Sequence, residues 1–144
     1  MATEEQVREL AQAFATALDR SDFEGAITML APTCRYDLTS ASFTSEGILV
    51  GPAAIVESYR WHDAHARTLF DRVDYFSDVE GVDGMTAVIR FSDVLEKAGA
   101  RHTYSSQQRI TVNQVMLIDS IIQQDIPAET VAVRAFMERV GVTL

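Results

Sequence analysis

Asp93 is a carboxylate on what is otherwise an apolar strand face. Met85, Ala87, Ile89, Phe91 and Leu95 are apolar at alternate positions, while Thr86, Arg90, Ser92 and Glu96 between them are polar. That period-two pattern predicts a half-buried strand. Asp93 falls on its apolar side, where an ionised carboxylate is costly unless paired or wetted. Desolvation raises the pKa of such a group, which suits it to take and return a proton near neutral pH. A structural alternative fits the same pattern: an aspartate held by the hydroxyl of Tyr104, or one placed at a bulge.

The turn that follows decides what Asp93 faces. With Ala98-Gly99 as a two-residue hairpin loop, Lys97 pairs with Ala100 and Glu96 with Arg101, setting opposite charges across the outer face. The same register sets His102 opposite Leu95, Tyr104 opposite Asp93, Ser106 opposite Phe91 and Gln108 opposite Ile89. The inner face is therefore polar at Asp93, His102, Tyr104, Ser106 and Gln108, then apolar at Ile110 and Val112. A third strand after Asn113-Gln114 places Met116, Ile118, Ile122 and Ile126 on one face, interrupted by Ser120 and Gln124. Three curled strands with this mixed lining predict a concave pocket.

Tyr59, Tyr104 and Gln108 carry hydroxyl or amide donors that could polarise a carbonyl or stabilise a developing enolate. The plainer role for the same groups is a hydrogen-bonded core network. Phe14, Tyr36, His62, Phe91, Ser106, Met116, Ile118 and Ser120 complete the expected ligand-binding set. His62 and His65 lie three apart on a helix, but no third ligand accompanies them, so no metal site is expected. His62 follows Tyr59 by one turn and belongs at the pocket rim, where it could transfer a proton. His102, near a hairpin tip, is expected to be exposed.

The elements that must hold these groups can be read in order. Thr3-Glu4-Glu5-Gln6 is a capping box, and Val7, Leu10, Ala11, Phe14 and Leu18 recur at helical spacing to about Arg20. Ser21-Asp22-Phe23-Glu24 reads as a second box, opening a short helix that ends before Pro32. Cys34 to Thr39 alternates as a strand, Ser40 to Ser45 turns, and Ile48 to Val50 returns. Gly51-Pro52 begins a helix carrying Ile55, Tyr59, His62 and Ala66 on one face and Ser58, Trp61 and His65 beside it. Val73, Tyr75 and Ser77 belong to the next strand, which ends around Gly81 to Gly84. Pro127 starts a last helix with Val131, Ala135, Phe136 and Val140 as its apolar stripe and Gly141 as its cap.

Length and composition set the bounds. A chain of 144 residues, 47% apolar and 23% charged, is expected to form a single domain over 1–144 with a sizeable core. The net charge of −9 comes without a basic stripe, which argues against nucleic acid as a partner. Cys34 is the only cysteine, so no internal disulfide forms. No apolar run is long enough to cross a bilayer and no export signal opens the chain, so a cytoplasmic location is expected. Helices first, then a run of strands and a closing helix, predict an α+β domain: a cone-shaped curved antiparallel sheet with N-terminal helices packed on it and an extra C-terminal helix.

Residues 18–26 (Leu18 to Ala26), Thr33 to Asp37, Gly51 to Tyr59 and the strands from Ala87 to Asn113 resemble the nuclear transport factor 2-like superfamily, and within it the SnoaL-like polyketide cyclases and ketosteroid isomerases. The resemblance implies a cystatin-like cone and places Asp37 where the isomerases carry their general base. It aligns Phe14 with their oxyanion-hole tyrosine, Gln108 with their protonated acid and Tyr59 with a supporting tyrosine. Asp93 resembles an apolar wall position of that family. The resemblance also implies a homodimer through the sheet face carrying Arg90, Gln107, Arg109 and Asp119. Shared cones host isomerases, cyclases, dehydratases, hydrolases and proteins without catalysis.

Two functions remain open from sequence. One is a cofactor-independent enzyme that moves a proton on a small apolar carbonyl compound, with Asp93 or Asp37 as base and Tyr59, Tyr104 and Gln108 as donors. The other is a non-catalytic ligand-binding or dimerisation module of the same fold.

Overall fold

The structure, a computed structural model, describes residues 2–144. Helix α1 (Glu4–Asp19) opens on the expected capping box: Thr3 Oγ1 accepts from the Gln6 amide at 3.1 Å, and Gln6 Oε1 accepts from the Thr3 amide at 2.9 Å. Its buried stripe, Val7, Ala11, Phe14, Ala15 and Ala17, lies against the sheet. Helix α2 (Phe23–Ile27) is capped by Asp22, which accepts from the Gly25 amide, rather than by Ser21. Ser21 takes a positive φ of 55° and donates instead to Asp63 on a distant helix.

Strand β1 (Leu30–Asp37) is followed by a loop, β2 (Ile48–Val50) and helix α3 (Pro52–Leu69). Then come β3 (Arg72–Asp83), β4 (Thr86–Lys97), β5 (Ala100–Val112) and β6 (Ile118–Asp125), and finally helix α4 (Pro127–Val140). The six strands form one curved, open sheet in the order β2-β1-β6-β5-β4-β3. All neighbours are antiparallel except β1 and β6, which run parallel, a departure from the fully antiparallel expectation. The β4–β5 register is the one the Ala98-Gly99 loop demands, with Asp93 opposite Tyr104 and Glu96 opposite Arg101. Both loop residues take positive φ, 51° at Ala98 and 79° at Gly99, as such turns require.

β6 departs from simple alternation. The register steps from Val112 opposite Ile118 to Thr111 opposite Ser120, leaving Asp119 as an inserted residue. Beyond that bulge the faces exchange: Ile121 is fully buried, Gln123 and Asp125 look inward, and Ile122 is 36% exposed. The expected inward row of Ile118, Ile122 and Ile126 is broken for this reason.

The core has two parts. The larger one is enclosed by α1, α2, the start of α3 and the sheet, with Phe14, Ile55, Ile89, Ile110, Ile118 and Ile121 at its centre. The smaller one joins α4 to one end of the sheet through Phe70, Val73, Leu95, Val133, Phe136 and Met137. Val131 is 69% exposed and Ala135 is also exposed; of the expected stripe Phe136 is buried and Val140 packs beside it, and Val133 and Met137 complete the buried face of α4. His102 is not at an exposed tip. Its ring stacks on Phe136 at 5.1 Å, and Nε2 is buried without a hydrogen-bond partner. Gly141 ends α4 in the left-handed conformation.

Candidate active site

Between the two core clusters the sheet and helices leave a cavity of about 500 Å³. That size suits a small organic ligand. Its wall is mostly apolar, with Leu18, Leu38, Phe43, Phe70, Phe91 and Met137 among the contributors. Of the residues expected at the site, Asp93, Tyr59, Tyr104, Gln108, Tyr36, His62, Phe91 and Ser106 line it together.

The others are elsewhere. Asp37 pairs in register with Ile48 and Ile122, both outward-facing, and its carboxylate accepts from the Thr39 amide at 2.9 Å and the Thr39 hydroxyl at 2.6 Å. Those hydrogen bonds hold its pKa below the usual carboxylate value. Phe14 and Ile118 are packed in the main core with no exposed surface. Met116 sits at positive φ in the turn between β5 and β6. Ser120 pairs with Arg35 and Thr111 on the outer face because of the bulge before it.

Asp93 stands between two tyrosines. Tyr75 of β3 is its partner on one side and Tyr104 of β5 on the other, so all three side chains leave the sheet on the same face. Asp93 is half-buried and lines the cavity. No described residue hydrogen-bonds it. Burial, followed by the charges of Asp19 and Asp63, pushes its pKa up to about 7.

Those two carboxylates are themselves held. Asp63 on α3 accepts from the Tyr75 hydroxyl at 2.7 Å, from Arg67 Nε at 3.0 Å and from Ser21 Oγ at 3.1 Å. Asp19, at the end of α1, accepts from the Ser77 hydroxyl, and burial raises its pKa despite that bond. Tyr75 is pushed well up, by burial first and then by its bond to Asp63. Tyr104 is raised by burial and by the nearby Asp125 and Asp93 charges.

A second polar group lies along the wall opposite the helix face of α3. Tyr59 donates to Gln108 Oε1 at 2.9 Å, and Gln108 Nε2 donates to the Tyr36 hydroxyl at 2.9 Å and to Gln123 Oε1 at 3.1 Å. Gln123 passes the chain to Asp125 at 3.2 Å, and Asp125 accepts the Ser42 amide at 2.6 Å. Tyr36 and Tyr59 stack with centroids 5.1 Å apart, and burial raises both hydroxyls. The Tyr36 oxygen accepts from Gln108 and lies beside the Tyr59 hydroxyl, and its own proton remains to be given to an acceptor, the Tyr59 oxygen or a ligand oxygen.

At the mouth, His62 Nε2 lies 2.6 Å from Glu46 Oε1. The same carboxylate accepts from Ser58 and Thr44 at 3.0 Å each. Burial works against its ionised form, but those hydrogen bonds outweigh it and its pKa is lowered. Trp61, 55% exposed, stacks on His65 at 4.6 Å beside this pair. No group of His, Cys, Asp and Glu among the described residues is arranged to hold a metal ion.

Asp19, Asp63, Tyr75, Gln123 and Asp125 are cavity residues that the sequence did not single out. Pairing β3 with β4 across Gly84 alone would set Phe76 opposite Asp93; an inserted residue, Glu80, shifts the register by one and puts Tyr75 there instead. The bulge in β6 hid Gln123 and Asp125. Asp19 and Asp63 lie at helix positions whose facing depends on tertiary packing.

No protein-family model and no curated protein matches the chain. Solved structures do. A candidate ketosteroid isomerase from Kribbella flavida DSM 17836 superposes with TM-score 0.61 at 20% identity, covering 83% of this chain and 76% of its own. A candidate polyketide cyclase from Xanthomonas campestris pv. campestris gives TM-score 0.66 at 15% identity, with 91% and 98% covered. An LEH-like epoxide hydrolase from M. tuberculosis gives 0.65 at 16% identity, with 94% and 96% covered. At these identities the likeness is one of fold: the protein shares the architecture of these structures, a curved open sheet with helices packed on it.

Proposed function

We propose that the protein is a cofactor-independent acid–base catalyst that moves a proton on a small, largely apolar carbonyl compound, in the manner of an isomerase, cyclase or dehydratase. The observation that carries this reading is Asp93: a cavity carboxyl without a protein hydrogen bond, whose pKa lies at about 7. A group with that pKa can take a proton and give it back at neutral pH. Asp93 carboxylate removes the proton next to the carbonyl, the C–H electron pair becomes the enolate, and the Tyr36 hydroxyl donates a hydrogen bond to the enolate oxygen. The protonated Asp93 then returns the proton to carbon. Gln108 and Tyr59 keep Tyr36 in place, and His62 with Glu46 forms a second proton-handling pair at the mouth.

The candidate ketosteroid isomerase and the candidate polyketide cyclase support the family of chemistry, since both are named for carbonyl substrates handled in the same fold. The test is solvent deuterium incorporation next to the carbonyl in a panel of cyclic enones, read by mass spectrometry. Incorporation by wild type that falls at least about a hundredfold in Asp93→Asn supports the reading, with the outward-facing Asp37→Asn as a control that retains it. Equal incorporation with and without Asp93 overturns it.

A second reading has its own observation. Tyr59 and Gln108 are bonded to each other instead of facing open space, which suits a non-catalytic module that binds a ligand in a preformed polar cleft. Tight ligand binding with no exchange in any probe would favour it. For either reading we propose a homodimer through the outer sheet face, to be tested by sedimentation. No helix of the described residues is long and apolar enough to cross a membrane.

A further inference from the structure

We propose that the ligand of this cavity carries a basic nitrogen whose cation sits against Asp93, between the rings of Tyr75 and Tyr104. The inference takes its site from the reading above and adds the class of molecule the site selects.

The charged groups lining the cavity have one sign. Asp19, Asp63, Asp93 and Asp125 contribute to the wall, and no lysine or arginine does; only His62 and His65 at the mouth could carry positive charge. Three of these carboxylates are already occupied. Asp63 accepts from Ser21, Arg67 and Tyr75, Asp19 from Ser77, and Asp125 from Ser42 and Gln123. Asp93 is the exception. It is half-buried, lines the cavity and receives no hydrogen bond from a described residue. A carboxylate set in a mostly apolar wall without protein partners is costly unless water or a ligand supplies them.

The surroundings of Asp93 narrow what that partner is. Its cross-strand neighbours are both tyrosines, and an aromatic face attracts a cation within about 6 Å of its centroid. Tyr75 already shows that preference, with the Arg67 guanidinium 5.6 Å from its ring centre. A carboxylate flanked by two rings is a match for an alkylammonium: charge and hydrogen bonds go to Asp93, and the C–H groups next to nitrogen meet the rings. An anionic ligand would meet repulsion from every acid in the wall. A neutral carbonyl group would find a donor at Tyr36 but would leave the repulsion among Asp19, Asp63 and Asp93 in place.

Binding should therefore change protonation. The titratable groups near Asp93 are Asp19 from α1, Asp63 from α3, with Arg67 bonded to it, Tyr75 from β3 and Tyr104 from β5, with His62, His65 and Asp125 elsewhere on the cavity wall; α4 contributes only the apolar Val133 and Met137. Burial and the two neighbouring carboxylates favour the neutral form of Asp93. An ammonium ion beside it favours the ionised form, so binding below about pH 7 releases a proton from the protein.

The experiment is isothermal titration of the full chain with 2-naphthylmethylamine and with its neutral counterpart 2-naphthylmethanol, at pH 6 and pH 8, in buffers of different ionisation enthalpy. The expected result is binding of the amine at least about tenfold tighter than the alcohol at pH 8. At pH 6 the amine should bind more weakly and release a fraction of a proton, and the alcohol should show neither effect. Asp93→Asn should bring the two affinities together. Tyr104→Leu should weaken the amine severalfold more than the alcohol; thermal unfolding checks that both variants are folded. Equal affinities in wild type, an amine preference that survives Asp93→Asn, or no binding of either compound overturns the proposal. Deuterium exchange reads acid–base work and this titration reads charge selection, so each can fail while the other stands.

Discussion

The Tyr59 hydroxyl on α3 donates to Gln108 Oε1 on β5 at 2.9 Å, joining positions 49 apart in the chain. Gln108 is only 4% exposed, and its amide also serves Tyr36 and Gln123. Replacing it with leucine, of similar volume, leaves those polar groups without partners in a buried wall. Each orphaned group costs about 1–3 kcal/mol, tempered by water entering the cavity. We expect Gln108→Leu to lose about 2–4 kcal/mol in urea unfolding; a loss under about 0.5 kcal/mol would show that the network contributes nothing to the folded state.

Asp93 gives the fold an unusual pH dependence. Its ordinary value is 3.8, and in the folded chain it titrates at about 7. Below the lower value the group is neutral folded or unfolded, and burying it costs little. Above the upper value it is ionised in both states, and folding carries the full cost of burying the charge. Between them the folded chain holds the extra proton, so this contribution falls as pH rises from about 4 to 7. Asp93→Asn removes the penalty. The variant should be about 1–3 kcal/mol more stable than wild type at pH 8, with the gain gone at pH 4. A difference independent of pH contradicts the assignment.

The hairpin that positions Asp93 is not at its stability optimum. Ala98 occupies φ of 51°, a region costly for a residue with a Cβ and readily taken by asparagine or glycine. Its amide donates to Asp71 at 2.9 Å, a bond that a substitution preserves. Ala98→Asn should raise stability by about 0.5–1 kcal/mol, measured by the shift of the urea midpoint with the slope unchanged. A decrease would mean that the loop does not keep this conformation in solution.

Much of this was legible in the residues, for physical reasons that also explain the rest. The β4–β5 register followed from a two-residue loop and charge pairing, and it brought Asp93, Tyr104, Ser106 and Gln108 together on one face. The capping box of α1 and the long face of α3 were equally readable, since both depend on neighbours within one helical turn. What failed depended on distant contacts. Asp119 looks like any strand residue, yet its insertion turns Ser120 out and brings Gln123 and Asp125 in. Phe14 lies on the correct helix face but is buried below the cavity, in edge contact with Tyr59 at 6.2 Å. Asp37 behaves as plain alternation predicts, with its carboxylate bonded to Thr39.

The pairing of β1 with β6 matters for how the chain is made. Tyr36 finds its neighbour Ile121 only after the four intervening strands β2 to β5 and helix α3 have been synthesised. A nascent chain arrested before β6 can pair its first strand only with the three-residue β2, and the wall that carries Tyr36 closes late. Formation of the polar end of the cleft should be the slow phase of refolding, because sequence-distant pairing bears the entropy of closing a long loop. Birth of the binding site and completion of the fold become a single event.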